Sequence, residues 1–160
     1  MPPLIRDIQP PARSDELLEQ YRLFVDSEER LVSRRQEENR FFLSVNALVL
    51  TVISLLLKQG LDSRIAWAGI VLLGAAGLVL CFSWSQIINS YRTLNEAKFV
   101  VIDEFEQTLP ARMFGEEWDQ AKERDYQPFT IIEGAVPFVF GALHAIASML
   151  GLLGVLAIIH

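Results

Sequence analysis

Three long apolar stretches, separated by charged segments, limit what this chain of 160 residues can fold into. They cover residues 41–57, 66–88 and 131–159, and of all the charged side chains only Glu133 lies within them. A helix crosses the hydrocarbon core of a bilayer with about 20 apolar residues, so each stretch is long enough, or nearly so, to span it. The pattern predicts an all-α integral membrane protein with three transmembrane helices.

The charged residues outside these stretches give the chain a net charge of −6. Binding to nucleic acid requires clustered Lys and Arg side chains that neutralise phosphates, and the sequence has no such cluster, so it argues against nucleic acid as a partner. The single cysteine, Cys81, lies in the second apolar stretch, so no disulfide can form within one chain.

Lys and Arg are distributed unevenly around the apolar stretches. Residues 1–40 carry seven and residues 89–130 carry five, whereas residues 58–65 carry two. Because Lys and Arg are retained on the cytoplasmic side, we expect a cytoplasmic N-terminus and a periplasmic C-terminus. Residues 1–13 contain four of the seven prolines and are predicted to be a disordered tail.

The two larger charged segments carry apolar residues at spacings of three and four, which is typical of amphipathic helices. We expect 14–40 to be a cytoplasmic helix continuous with the first span, and 89–130 to be a cytoplasmic segment whose helix leaves the second span and ends at Pro110. The short periplasmic loop, 58–65, makes the two helices antiparallel neighbours, so we expect their extensions to form a long helical hairpin. The alternative for the apolar stripe of 14–40 is that it lies on the lipid surface. A further short acidic helix is predicted over 114–124.

Three polar residues of the apolar stretches are candidates for function. Asn46 is expected to hydrogen-bond to another helix, with a chemical role as the alternative. Glu133 is either structural, through a pair with Arg92 or Lys98 at the membrane interface or through a helix N-terminal position, or part of an ion or proton pathway, or a contact for a partner or lipid. His144 either forms a hydrogen bond across small residues, or titrates, or binds a metal.

Small residues recur on the second and third apolar stretches. Such residues let helix backbones approach closely within lipid, and three helices of one chain cannot use all of these surfaces, so self-association is the simplest use for them. The predicted helix-packing residues are Gly69, Gly74, Gly77, Gly141, Ala145, Ser148 and Gly151.

A polar face follows the second apolar stretch. Arg92, Asn95 and Lys98 are three residues apart and therefore lie on one side of a helix. This face either binds lipid headgroups or phosphate, or pairs with Glu133 or with Glu37 and Glu38 of the neighbouring helix.

One combination of residues resembles the RipA family of bacterial octameric membrane proteins, over roughly residues 20–145. The matching residues are Trp84 to Phe99, Glu106, Leu109-Pro110, Glu117-Trp118, Ile132-Glu133 and Pro137, together with Tyr21 and the entry into the first span from Arg40 to Asn46. The resemblance implies a bacterial cytoplasmic (inner) membrane and a homo-oligomer of eight copies. It brings no catalytic residues.

The sequence lacks a nucleophile–base pair, a metal-ligand cluster and a phosphate-binding loop, so we expect no catalytic activity, cofactor or metal. The leading interpretation is a non-enzymatic oligomeric membrane scaffold whose cytoplasmic helices form a collar for a protein partner or for membrane lipids. One alternative is an oligomeric ion or small-solute channel lined by the third helix. Another is a membrane effector or transporter subunit.

Overall fold

Four α-helices account for the described part of the chain. The computed structural model describes residues 13–58, 64–124 and 129–157, with no strand among them. Helix α1 covers Arg13–Lys58, α2 covers Arg64–Glu106, α3 covers Met113–Glu123 and α4 covers Phe129–Ala157. Of these, α1, α2 and α4 are long and apolar enough to cross a membrane. The predicted all-α fold with three membrane-spanning helices is therefore confirmed.

The continuity of α1 follows from its composition. Its 46 residues contain neither Gly nor Pro, acidic side chains occupy its first turn and Lys58 its last, which matches the helix dipole at both ends. It begins at Arg13, one residue before the expected start. Most of the predicted tail 1–13 and of the predicted loop 58–65 lies outside the described residues.

The other helices also follow local sequence rules. Helix α2 ends four residues before Pro110, and α3 lies one residue earlier at each end than predicted. Helix α4 continues through Pro137.

Two compact units divide the chain. The polar unit contains the described residues 13–35 and 90–124, and the membrane unit contains 36–58, 64–89 and 129–157. Helices α1 and α2 each contribute to both units.

The core of the polar unit lies between α1 and α2. Tyr21 stacks on Phe105 with ring centroids 5.3 Å apart and with Ile102 beside them. Both extensions therefore pair along their apolar stripes, as the periodicity predicts, with Phe114 of α3 packed against the same cluster.

The core of the membrane unit has two apolar clusters. In one, Trp84 stacks on Phe42 at 5.9 Å and contacts Phe140, so α1, α2 and α4 meet there. The indole N–H of Trp84 donates to Asn39 Oδ1 at 2.9 Å, which satisfies its one polar atom. The second cluster contains Ile53, Ile70 and Ala147, again one residue from each helix.

Glycines bring α2 and α4 into close contact. A Cβ atom at Gly77 would lie 2.2 Å from His144 Nδ1, and one at Gly74 would lie 2.2 Å from Ser148 Oγ. Conversely, Gly154 of α4 faces a side chain of α2, because a Cβ there would lie 2.1 Å from the Trp67 ring. These distances are far below van der Waals contact, so only glycine fits at these positions.

We predict that Gly77→Ala destabilises the membrane unit by about 1–3 kcal/mol, because the added methyl group would overlap the His144 ring. Thermal unfolding of the purified protein in detergent, followed by tryptophan fluorescence, measures the effect. Gly69→Ala on the same helix is the matched control, since its Cβ would meet only Leu56 Cδ1 at 3.8 Å. The control should be neutral or slightly stabilising because Ala favours helix. Equal destabilisation by both variants would contradict the prediction.

Candidate functional site

A buried polar cluster joins the three membrane-spanning helices. It consists of Asn46 from α1, Cys81 from α2, and His144 and Ser148 from α4, and we call it the polar node. Asn46 and His144 have no exposed surface at all, and Cys81 is buried. Apolar residues of the two membrane-unit clusters lie on adjacent turns of the same helices.

The carbonyl oxygen of Asn46 is the centre of the polar node. Cys81 S–H donates to Asn46 Oδ1 at 3.2 Å, and His144 Nε2 lies 3.0 Å from the same oxygen. The amide nitrogen of Asn46 donates to the Phe42 carbonyl at 2.8 Å, which fixes the orientation of the amide group. Because Oδ1 can only accept, the hydrogen bond requires the His144 proton on Nε2.

Two other buried atoms of the polar node face glycines and form no hydrogen bond, namely His144 Nδ1 and Ser148 Oγ. Nδ1 lies against Gly77 and Oγ lies against Gly74, one turn apart on α2. Leaving a buried polar atom without a partner costs about 1–3 kcal/mol, so tight packing on α2 is obtained here at the expense of two hydrogen bonds.

The geometry of the polar node fits helix association better than catalysis. Its carbonyl acceptor is already occupied by two donors, and the thiol and imidazole are turned towards it and away from lipid. Among the described residues, no group of three or more His, Cys, Asp or Glu side chains is placed to hold a metal ion.

The structure places the predicted small residues on several surfaces. Gly74, Gly77, Ser148 and Gly151 lie in the contact between α2 and α4 of one chain. Gly69 faces Leu56 of α1, Gly141 faces Cys81 of α2, and Ala145 is exposed.

The three residues of the predicted polar face have separate environments. Arg92 pairs with Glu96 at 2.9 Å on the helix surface. Lys98 donates to Ser27 Oγ and lies 4.6 Å from the centroid of the Phe24 ring, so it links α2 to α1. Asn95 is half-buried, as is Glu133 in the first turns of α4.

A second buried polar site, in the polar unit, surrounds Glu106 at the end of α2. Its carboxylate has no exposed surface and accepts the Tyr21 hydroxyl at 3.1 Å and the backbone N–H groups of Phe114 and Gly115 at 3.0 and 3.1 Å. The two N–H groups belong to the first turn of α3, which has no intrahelical acceptor for them. Glu106 therefore fixes the start of α3 against the α1–α2 pair.

Sequence reasoning placed Glu106 among the residues of the family resemblance but missed this role. A signal was available, because Glu106 continues the buried stripe of Ile102 and Phe105. It also lies one turn before Pro110, a residue at which a helix cannot continue. A carboxylate on an apolar stripe needs donors, and the first turn of a following helix is a common source.

Three side chains of the polar unit have shifted pKa values. Burial, with the hydrogen bond to Glu106 adding to it, raises the pKa of Tyr21 to about 12. Burial also raises the pKa of Glu28, although the nearby Lys98 opposes the shift. The hydrogen bond to Asp103, 2.7 Å long, raises the pKa of the exposed Arg112 guanidinium.

We predict that Tyr21 makes the polar unit lose stability as the pH rises from about 10 to 12. The pKa of Tyr21 is raised from its ordinary value of 10.0, which applies to the unfolded chain, to about 12 in the folded chain. Above pH 10 the unfolded chain therefore releases the Tyr21 proton before the folded chain does. The stabilisation is complete below pH 10 and is lost as the pH approaches the folded value. Chemical unfolding across this range measures it.

Tyr21→Phe should flatten that part of the pH profile while keeping the stack on Phe105. An unchanged pH profile in Tyr21→Phe would contradict the assignment.

We predict that Asn46 and His144 are energetically coupled in the membrane unit. A double-mutant cycle with Asn46→Ala and His144→Ala should give a coupling of about 0.6–1.7 kcal/mol, the range for hydrogen bonds between membrane helices. Unfolding in mixed micelles supplies the four free energies. The control cycle replaces His144→Ala by Ser148→Ala and should give a coupling near zero, since Ser148 Oγ has no hydrogen-bond partner. Equal couplings in the two cycles would refute the prediction.

Comparison with known proteins identifies the family. The model of the octameric membrane protein family (8xMP) matches residues 18–156, which include all four helices apart from the first residues of α1 and the last of α4. No protein of curated function and no solved structure was found to match the chain. The narrower RipA designation stays a prediction. Since the match spans most of the sequence, the chain belongs to the octameric membrane protein family and is a multi-pass, homo-oligomeric membrane protein.

Proposed function

We propose that the protein is a non-enzymatic scaffold in the bacterial cytoplasmic membrane, assembled from eight copies. In this proposal the polar units, carried on α1 and α2, form a collar on the cytoplasmic side that binds a partner protein. The cytoplasmic placement is supported by the excess of Lys and Arg in residues 1–40 and 89–130.

The observation that carries the proposal is that the polar residues of the membrane-spanning helices contact one another within one chain. His144, Ser148 and Gly151 would have to face a shared axis if α4 lined a channel, but they are packed against α2. The Asn46 carbonyl and the Cys81 thiol are likewise engaged with neighbouring helices. A channel built on the polar face of α4 would therefore have to break the core of each protomer.

The outward surface of α4 supports the same conclusion. Its exposed large side chains are apolar, and they include Phe138, Leu143, Ile146, Met149 and Leu153. Such a surface suits lipid or a neighbouring apolar helix, and it offers no ligands that would replace the hydration shell of an ion.

Helix α3 is the part of the collar best suited to hold a partner. Its Met113 and Trp118 are 63% and 48% exposed, although they lie in the polar unit. The helix carries four carboxylates and a single lysine, which lies 5.4 Å from the Trp118 ring centroid. Because anionic lipid headgroups repel an acidic helix, these features favour a protein partner with a basic, partly apolar surface.

A flux measurement tests the proposal against the channel. Purified oligomers reconstituted into liposomes should leave proton and potassium permeability equal to that of protein-free vesicles. Flux well above that level, and reduced in Glu133→Gln or His144→Ala, would overturn the scaffold and favour the channel.

Photo-crosslinking in cells tests the collar. A photoreactive residue in place of Trp118 should give one discrete adduct with a different protein. The same residue in place of Glu116 is the matched control and should give much less of that adduct, because two residues place it on the other side of α3. Adducts only with lipid or with other copies of the chain would contradict the proposed partner.

A further inference from the structure

Helix α3 is attached to the rest of the polar unit through its first turn. None of its 11 residues is buried, and residues 116–123 are exposed apart from the half-buried Ala121. Phe114 and Gly115 are half-buried and donate to Glu106, so the contact with the α1–α2 pair is concentrated at these two residues. The helix therefore lies on the surface of the pair and has no core of its own.

The contacts of this first turn are few. The Phe114 ring packs against the apolar core of the polar unit and lies edge-on to Phe99, with ring centroids 6.3 Å apart. The backbone N–H groups of Phe114 and Gly115 donate to the buried Glu106 carboxylate at 3.0 and 3.1 Å. In the described part of the chain, one aromatic ring and two charge-assisted hydrogen bonds are thus the main attachment of α3.

The start of α3 has no cap of its own. Its N-cap residue, Arg112, forms no side-chain hydrogen bond with the first turn, although the amides there need acceptors. Glu106 supplies that acceptor from α2, at the end of the helix where a negative charge is favourable. Gly115 in the same turn weakens helix formation further. Because isolated helices shorter than about 12–15 residues are marginal in water, α3 needs this docked cap to stay folded.

Opening of α3 would leave the α1–α2 pair closed. The stack of Tyr21 on Phe105 and the hydrogen bond from Tyr21 to Glu106 join the two long helices without involving α3. Once α3 has left, water can form hydrogen bonds with the carboxylate and with the freed amides. The main loss is then the burial of the Phe114 ring, and a region with so few buried apolar contacts opens at a lower free energy than a core does.

We propose that α3 is a conditional helix, which is folded while docked on Glu106, unfolds when it leaves, and opens while the α1–α2 pair stays closed. Such an order–disorder transition of one segment can act as a switch. The folded helix holds Met113 and Trp118 in fixed directions, whereas the unfolded segment does not. In a consequence that rests on the proposed function, the switch regulates the partner, whose apparent affinity falls with the fraction of α3 that is folded.

Hydrogen exchange of the natural full-length protein in detergent micelles, read by mass spectrometry, is the first test. The amides of 117–123 should be protected at least tenfold less than those of 21–25 and 102–105, after correction for intrinsic rates, because α3 opens without the pair. Equal protection of the three segments would overturn the proposal, since α3 would then open only when the whole polar unit unfolds.

Glu106→Gln tests the role of the carboxylate. The side-chain amide keeps the shape but replaces one acceptor oxygen by a donor, so the two N–H groups of α3 can no longer both be accepted. The protection of 117–123 should fall at least fivefold more than that of 102–105. Asp103→Asn is the matched control, because the exposed pair of Asp103 with Arg112 lies beside the same turn and contributes little. It should change the protection of 117–123 less than twofold.

Phe114→Ala removes the other attachment from the side of α3 and leaves Glu106 and Tyr21 unchanged. It should also lower the protection of 117–123 at least fivefold more than that of 102–105. Equal loss of protection in both segments in either variant, or an effect of Asp103→Asn as large as that of Glu106→Gln, would overturn the conditional helix.

Photo-crosslinking from position 118 separates this proposal from the proposed function. Glu106→Gln should reduce the adduct with the partner protein at least threefold, because α3 is folded less of the time. An undiminished adduct alongside lost protection of α3 would overturn the regulation of the partner. If the natural sequence already gave no adduct, the proposed partner would fail, and hydrogen exchange would still decide whether α3 is a conditional helix.

Discussion

The acceptance of two donors by one buried amide oxygen is the interaction on which the membrane unit depends. Within lipid, apolar helices gain little by leaving apolar surroundings, so their association needs close packing or hydrogen bonds between helices. Asn46 supplies the hydrogen bonds by joining α1 to Cys81 of α2 and to His144 of α4. The glycines opposite His144 and Ser148 supply the close packing. The hydrogen bond from His144 requires the close packing, because a bulkier residue at Gly77 would move the imidazole away from the amide.

The polar unit is held together by a different balance of forces. In water, burial of Tyr21, Ile102 and Phe105 contributes hydrophobic stabilisation directly. The buried carboxylate of Glu106 would be costly alone, and its three hydrogen-bond donors offset that cost. Two of these donors are the otherwise unsatisfied amides of α3. The Glu106 carboxylate therefore has hydrogen-bond donors of its own, and it also determines where α3 begins.

Helix positions could be predicted from the sequence, whereas the partners of polar residues could not. The apolar periods and Pro110 are local signals, and they placed the helix ends to within two residues, except that α2 ends four residues before Pro110. By contrast, the acceptor for His144 lies 98 residues away in the chain, and a period of 3.6 residues does not say which helix a polar face meets. Glu106 shows the same limit, because a carboxylate on an apolar stripe signals a need for donors without naming Tyr21, Phe114 or Gly115.

The placement of the small residues changes where the specificity of the oligomer should be sought. On sequence alone, Gly74, Gly77, Ser148 and Gly151 were candidates for contacts between copies, but in the structure they pack α2 against α4 of the same chain. The exposed side chains on α4 are broadly apolar, and such a surface accommodates lipid and protein about equally well. The apolar surface of α4 can contact a neighbouring copy without determining the depth or rotation of that copy. In water, an exposed Leu or Val does favour a covering partner, and charges beside it discriminate between alignments. A defined number of copies therefore needs contacts that fix the depth and rotation of a neighbour, and the apolar surface of α4 does not supply them.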